Sequence, residues 1–368
     1  MTISLLFWAF VAVSAIQSIY YVCFSSILFH GKNKNNEKEP MPVSVIICAK
    51  NEAKNIKRFL PSIINQHYSN FEIVLINDAS SDNTLKIMRS FKGQNPKIKI
   101  VDVANNNAFW GSKKYALTLG IKAAENECLL FTDADCTPFS KHWISEMVQS
   151  FSEKKTIILG YGKHQTEGKS LLNKLVRFET LLTAIQYFSY AKLGSPYMGV
   201  GRNLAYKKST FFKVNGFIKH VQIQSGDDDL FIQDAATKTN TAICLEPNGF
   251  TVSEAPKSYK EWFHQKRRHI STVKYYTYKH QLLLGLFYLS KVFFYISAIT
   301  SLFFFSWKPI ISILSFYFVV QFLIIGLIAK KLKEPQIIYL LPFLEICLLL
   351  FQFIIFIANK ISKPTTWK

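Results

Sequence analysis

Residues 128–135 read Cys128-Leu129-Leu130-Phe131-Thr132-Asp133-Ala134-Asp135, an apolar run that stops at two carboxylates one residue apart. Along an extended strand, residues two apart project to the same side. The run therefore predicts a buried strand whose end delivers Asp133 and Asp135 to one object at the edge of a sheet. Two hard oxygen donors at this spacing suit a divalent cation, Mg²⁺ or Mn²⁺, which takes one or two protein carboxylates and shares the rest of its shell with water and phosphate oxygens. Taken alone, the Asp-Ala-Asp tripeptide reads more simply as a solvated turn. Its surroundings decide between the two.

Upstream, short apolar runs alternate with helical patterns. Val43 to Cys48, Phe71 to Ile76 and Ile98 to Val103 read as strands. Glu52 to Gln66, Asp82 to Phe91 and Ser112 to Glu125 read as helices, the second behind a Ser80-Ser81 cap. Such alternation predicts an α/β domain with a mostly parallel sheet covered on both faces, and in such sheets ligands sit beyond the carboxyl ends of the strands. Lys50, Asn51 and Glu52 follow the first strand, Asn77 and Asp78 the second, and Asp133 and Asp135 the fourth, so all gather on one rim. A helix cap accounts for any one of these acids, but less well for carboxylates after three separate strands. No Gly-x-Gly-x-x-Gly follows the first strand and no P-loop motif occurs, so a phosphate on this rim must be met by a metal.

Downstream, Thr156 to Tyr161 and Thr241 to Glu246 read as strands, Ser170 to Lys192 as an amphipathic helix, and Gly199 to Asn203 as a flexible turn. Ser225-Gly226-Asp227-Asp228-Asp229-Leu230 then sets three adjacent carboxylates at a helix start. Complementing the helix dipole accounts for one or two of them. Three together repel, which lifts a pKa and prepares a general base. Residues 258–270, Ser-Tyr-Lys-Glu-Trp-Phe-His-Gln-Lys-Arg-Arg-His-Ile, predict a basic and aromatic helix of the kind that lies in a membrane interface, with Lys266-Arg267-Arg268 compact enough to clamp a diphosphate.

The formal charge is +20, from 44 basic and 24 acidic residues. No nucleic-acid-binding motif accompanies it, which leaves the membrane surface and anionic small substrates as its partners. Six scattered cysteines without a Cys-x-x-Cys pair predict free thiols in a reducing compartment and no zinc site. Ile3 to Phe29, Leu282 to Phe305, Pro309 to Ala329 and Gln336 to Ala358 are apolar enough to cross a bilayer, which needs about 20 residues. Lys291 and Glu345 lie inside two of these spans, and intramembrane charges are functional suspects, although Lys291 has the simpler options of pairing or snorkelling. The basic loop Lys330 to Lys333 and the basic middle domain belong on the cytoplasmic side. The resulting organisation is an anchor at 1–30, a linker at 31–41, a catalytic domain at 42–256, an interfacial helix at 257–281, membrane helices at 282–359 and a tail at 360–368. Four crossings would place both termini outside, which the lysines of the tail oppose.

Several motifs in order make the chain resemble the family 2 glycosyltransferases, membrane-attached enzymes with a GT-A nucleotide-sugar domain. The resemblance runs from about Pro42 to about His269. Val43 to Glu52 is similar to the opening strand and nucleotide loop, implying donor contacts at Ala49, Asn51 and Glu52, and Ile76 to Asp82 to the second loop, implying that Asp78 meets the base. Thr132-Asp-Ala-Asp135 resembles the DxD element, which implies ribose or metal contact by Asp133 and metal–diphosphate contact by Asp135. Trp110 to Leu117 resembles a Gly-Lys segment with Lys113 as its lysine, and Gly201, Arg202 and Asn203 fall in the acceptor-side loop. Gly226 to Leu230 is similar to Glu-Asp-x-Asp-Leu with glycine for glutamate, which makes Asp227 the base and keeps Asp228 as its rival. Gln265 to His269 resembles Gln-x-x-Arg-Trp, implying donor contacts at Gln265 and Arg268. His269 replaces the tryptophan associated with processive synthesis, which favours addition of one sugar.

The resemblance implies a divalent metal, Mg or Mn, a nucleotide-diphosphate sugar donor, and a lipid-linked or glycan acceptor, with inversion at the anomeric carbon. It places the enzyme in the plasma (inner) membrane as a multi-pass protein with its catalytic domain in the cytoplasm. A processive polysaccharide synthase, a glycosidase and a membrane scaffold with a vestigial nucleotide site are the alternatives.

Overall fold

The computed structural model describes residues 2–31, 40–103 and 113–362. Trp110, Gly111 and Ser112, most of the 31–41 linker and the end of the tail lie outside the described residues. In chain order the elements are α1 (Thr2–Phe24), β1 (Val43–Ala49), α2 (Ala53–Ile64), β2 (Phe71–Asp78), α3 (Thr84–Gln94), β3 (Ile98–Val103), α4 (Lys113–Ala123), β4 (Cys128–Asp133), β5 (Cys136–Pro138) and α5 (Trp143–Val148). There follow β6 (Ile157–Leu159), β7 (Gly162–His164), α6 (Leu171–Lys192), β8 (Leu204–Lys207), α7 (Lys208–Lys213), α8 (Asp229–Ala235), β9 (Thr241–Ile243) and β10 (Thr251–Ser253). Four helices close the described chain: α9 (Tyr259–Ile270), α10 (Tyr278–Phe304), α11 (Trp307–Lys331) and α12 (Leu341–Ile361).

The main sheet has seven strands in the order β3-β2-β1-β4-β8-β6-β9. Strands β3, β2, β1 and β4 run parallel, as the alternation predicts, while β8 pairs antiparallel with both β4 and β6. A second sheet, β5-β10-β7, has no counterpart in the sequence reading because its strands have only three residues each. Strand β1 is buried along nearly its whole length, as parallel strands with both faces covered are. Val43, Val45, Ile47 and Ala49 join the core beneath α2 and α5, and Ile46 joins the opposite core with α4 and α6. That second core is continuous with the apolar helices α1, α10, α11 and α12, so the sheet domain and the helical bundle share one interior.

The sequence reading made α6 amphipathic. It is instead buried over most of its circumference, because it runs between the sheet and the bundle and touches both. Its Ser170 N-cap accepts from Asn173 N at 3.2 Å. Arg177 of α6 reaches Glu334, which follows α11 and is fully buried, with Nε donating to Oε2 at 2.9 Å, and Lys163 of β7 stands 3.3 Å from the other oxygen of Glu334.

Four helices are long and apolar enough to cross a membrane. Helices α1 and α10 pack antiparallel, with Gln17 Nε2 donating to Phe287 O at 2.9 Å and Tyr20 OH to Leu283 O at 2.7 Å. The two intramembrane charges pair with each other: Lys291 meets Glu345, which also accepts from Tyr295 OH and from Gln321 Nε2 at 2.6 Å. Pairing answers the desolvation penalty that either charge would carry alone.

Helix α12 is the last of the four apolar helices, and hydrogen bonds tie the chain at both of its ends. Glu334 just before it is bonded to α6 and β7, and Ala358, Asn359 and Ser362 at its far end accept from Arg267 of α9 at 3.1, 2.9 and 2.6 Å. The chain before α12 is thus tied to the sheet domain and the end of α12 to α9, while Glu345 between them meets Lys291. A cysteine at exposed Ile361 in a cysteine-free background should react with a membrane-impermeant maleimide from the same side of sealed vesicles as a cysteine at exposed Lys141. Labelling from opposite sides would show that α12 crosses.

Candidate active site

The register of the parallel strands assembles the rim. Cys48 pairs with Asp133 and Ala49 with Asn77, so the ends of β1, β2 and β4 stop at one level. Beyond β1 the chain turns through Asn51 at φ 58°, a left-handed position that asparagine tolerates better than most residues. Asn51 Oδ1 accepts from Ser81 N at 2.8 Å and Asn51 N donates to Ser80 Oγ at 3.0 Å, which ties the first rim loop to the second. Glu52 N donates to Thr84 Oγ1 at 2.8 Å and the Glu52 carboxylate accepts from Asn55. Ala49 is buried at the strand end, and Asp78 is half-buried beside it. Burial lifts the Asp78 carboxyl, opposed by Lys50 and Lys113.

Lys113 joins two parts of the chain that the sequence leaves far apart. Its Nζ lies 3.0 Å from Asp133 Oδ1 at the end of β4 and 3.0 Å from Asp227 Oδ2 before α8. Burial would lower the Lys113 pKa, and the two carboxylates more than reverse this. Burial likewise would raise Asp227, and the adjacent Lys113 ammonium outweighs it, leaving Asp227 below its ordinary value. Arg268 of α9 stands close enough to feel the charges of both Asp227 and Asp133, and Gln265 is one helical turn earlier on the same face. Cys48, Lys113, Asp133, Gly201, Asp227 and Asp228 line one open cleft.

The three neighbouring aspartates have different surroundings. Asp228 accepts from Gly201 N and Asp229 N, both at 2.8 Å, as the N-cap of α8. Burial, with Asp227 and Asp229 alongside, pushes its carboxyl up to about 7. Asp229 is buried and accepts from Thr272 Oγ1 and from Tyr276 OH at 2.7 Å, two partners that sequence reading did not single out. Gly226 takes φ +93°, and a Cβ there would lie 2.5 Å from Leu230 Cδ1. That is the physical reason for glycine where the resemblance expects glutamate.

Asp133, Asp135 and the Cys136 thiol offer ligand atoms within 4.8 Å of one another. Burial and the nearby Asp133 raise the Asp135 carboxyl. Two carboxylates fit a hard divalent cation, and the thiol adds a softer donor at the buried edge.

Asn203, Arg202 and the 266–268 triplet are each held by distinct partners. In the 201–203 turn, Asn203 is fully buried: its amide donates to Tyr161 O and Gly249 O and accepts from Trp143 Nε1, so it braces the fold behind the cleft. Arg202 donates to Gly162 O at 2.7 Å and faces His164 at 3.3 Å, while its charge reaches Asp135. The Lys266-Arg267-Arg268 triplet is divided by the helical turn. Lys266 pairs with Glu179 of α6, Arg267 caps the end of α12, and Arg268 lies near enough to Asp227 and Asp133 to feel their charges.

Residues 44–212 match the profile of Glycosyl transferase family 2. The probable glycosyltransferase YdaM of Bacillus subtilis is 27% identical over 252 residues, covering 64% of this chain and 56% of that protein. The poly-beta-1,6-N-acetyl-D-glucosamine synthase of Staphylococcus epidermidis is 28% identical over 186 residues, covering 48% of this chain and 42% of the relative. The chain thus spans about half the length of these curated relatives. A solved structure of the mannosyltransferase PcManGT from Pyrobaculum calidifontis, in complex with GDP-Man and Mn²⁺, superposes with a TM-score of 0.60 at 16% identity, over 92% of this chain and 97% of that one. The likeness is one of fold.

Asp228 supplies a pH signature. Its folded pKa of about 7 lies above that of an unfolded aspartate, so the stability it confers is full in acid and is lost as the pH rises through 7. The melting temperature of the wild type, taken relative to Asp228→Asn, should fall between about pH 4 and pH 7. A difference independent of pH over that range would show that Asp228 titrates normally.

Proposed function

We propose that this chain, whose residues 44–212 form a glycosyl transferase family 2 domain, moves a sugar from a nucleotide-diphosphate donor to the hydroxyl of a lipid-linked or cell-envelope glycan acceptor, with inversion. The observation that carries this reading is the Lys113 bridge, which brings the strand-end Asp133 and the helix-start Asp227 within reach of one ammonium.

Asp227 is the general base. It is ionised at neutral pH and takes the acceptor hydroxyl proton as that oxygen attacks the anomeric carbon, which requires an approach of about 3 Å. The bond from the anomeric carbon to the diphosphate oxygen breaks as the new bond forms, and the nucleoside diphosphate leaves with the electron pair. One base and one direct displacement invert the configuration. Arg268 gives charge-assisted hydrogen bonds to the leaving phosphates. Asn51, Glu52 and Asp78 border the nucleoside, with Ala49 beneath it, and Gln265 lies at the donor's other side. Gly201 and Arg202 border the acceptor. Asp228 holds Gly201 in place, with both carboxylate oxygens occupied by backbone amides, which favours Asp227 over Asp228 as base.

Asp135 and Asp133 would hold Mg²⁺ or Mn²⁺, which when bound supplies Lewis-acid neutralisation of the diphosphate. The apolar helices and the basic α9 support a plasma-membrane enzyme with its catalytic domain on the cytoplasmic side. Similarity to poly-N-acetylglucosamine synthases favours a second reading, processive polymer synthesis, against which His269 stands in place of tryptophan. A product longer than one added residue would establish it.

The detergent-purified protein should bind one nucleoside diphosphate in a calorimetric panel only when Mn²⁺ is present, and Asp135→Ala should abolish that binding. Asp227→Asn should keep the binding and lose transfer by roughly a hundredfold or more, the scale of a general base. Undiminished turnover in Asp227→Asn would remove it as the base, and no binding by any nucleotide would favour a vestigial site.

A further inference from the structure

Lys114 follows Lys113 on the first turn of α4 and does something different. Its side chain is 1% exposed, and its Nζ donates to three backbone carbonyls: His220 O at 2.8 Å, Ile223 O at 2.9 Å and Ser225 O at 2.8 Å. An ammonium has three protons, and here each reaches one stretch of chain. That stretch ends at Ser225. Gly226 then makes the turn at φ +93°, and Asp227 comes next.

The downstream side of Asp227 is held by Asp228 on Gly201 N and by Asp229 on Thr272 and Tyr276. We propose that Lys114 is the positioning residue for the upstream side: by gripping residues 220–225 it sets where Asp227 stands relative to Lys113 and the cleft. The inference rests on the reading of Asp227 as the general base. A methionine would fill similar space without the cost of burying a charge, so packing alone gives no reason for a lysine here. The three carbonyls give one: His220 O is shared with Ile223 N at 3.0 Å, and Ile223 O and Ser225 O would each lose a charged donor at part-buried positions.

The charged groups that face Lys114 are Asp227, Asp228 and Asp229, whose negative charge opposes the burial that lowers its pKa to about 8. His220, in the gripped stretch, is held down to about 4 by burial and by Lys114 itself, so it adds no competing positive charge at neutral pH.

The test compares the full-length wild type with Lys114→Met and Lys114→Arg, using the nucleoside diphosphate panel with Mn²⁺ as the binding probe. Lys114→Met should bind the nucleotide within about twofold of wild type while its kcat falls at least about tenfold, the pattern of a lost transition-state contribution. Amide exchange of residues 226–229 should accelerate by about tenfold as the grip is released. Lys114→Arg, which stays charged, should recover most of the turnover and move the alkaline limb of the kcat profile upward from about pH 8. Wild-type turnover and wild-type exchange in Lys114→Met would overturn the proposal. If Lys114→Met fails to fold, an alkaline limb in Lys114→Arg identical to wild type overturns it instead. If the wild type transfers no sugar, the glycosyltransferase reading fails, and the exchange of residues 226–229 still decides whether Lys114 positions them.

Discussion

The candidate site depends on one partly buried ammonium. Asp133 and Asp227 both approach the Lys113 ammonium to 3.0 Å, and it is this ammonium that outweighs the burial that would otherwise raise the Asp227 carboxyl. With Lys113 in place, a carboxylate at the end of a central strand and a carboxylate ahead of α8 share one cation. Opposite charges about 4 Å apart interact by about 4 kcal/mol at a protein-like effective dielectric, enough to counter substantial desolvation. The cleft is preorganised in this sense: its charges are already placed.

The cleft is also joined to the membrane part of the molecule by charges that are spent entirely on structure. Glu334 is gripped by Arg177 and Lys163, and Arg267 closes the end of α12. These are pairs whose rupture leaves an uncompensated buried charge, the expensive case. Lys331 adds a lighter tie, donating to Ile27 O and His30 O at the end of α1. Because α9 carries Arg267 on one side and Arg268 on another, the helix that faces the cleft is the one that seats α12.

The same economy explains residues that look interchangeable in the sequence. Asp227, Asp228 and Asp229 are consecutive, yet the first meets a lysine, the second two backbone amides and the third two hydroxyls. Their acidities diverge for that reason and not for any difference in the residues themselves. Lys266, Arg267 and Arg268 diverge in the same way, each consecutive step around the helix delivering a cation to a different neighbour.

What could be read from the chain by itself was local. Alternating apolar runs predict the parallel strands β1 to β4, the rule for parallel sheets puts Asn51, Asp78 and Asp133 on one rim, and unbroken apolar runs mark the membrane helices. Each of these rests on periodicity within a dozen or so residues, which the sequence carries directly. The tertiary structure decided the rest: that Lys113 bridges β4 to the start of α8, that Asn203 turns inward to Trp143, that Lys291 finds Glu345, that Gly226 needs a positive φ, and that Arg267 meets the end of α12. Except for the strained turn at Gly226, these are contacts between residues far apart along the chain, and no local period encodes which distant partner a buried charge will meet. The physical reason is that burial makes an unpaired polar group costly, while the choice of partner follows from how the whole chain packs.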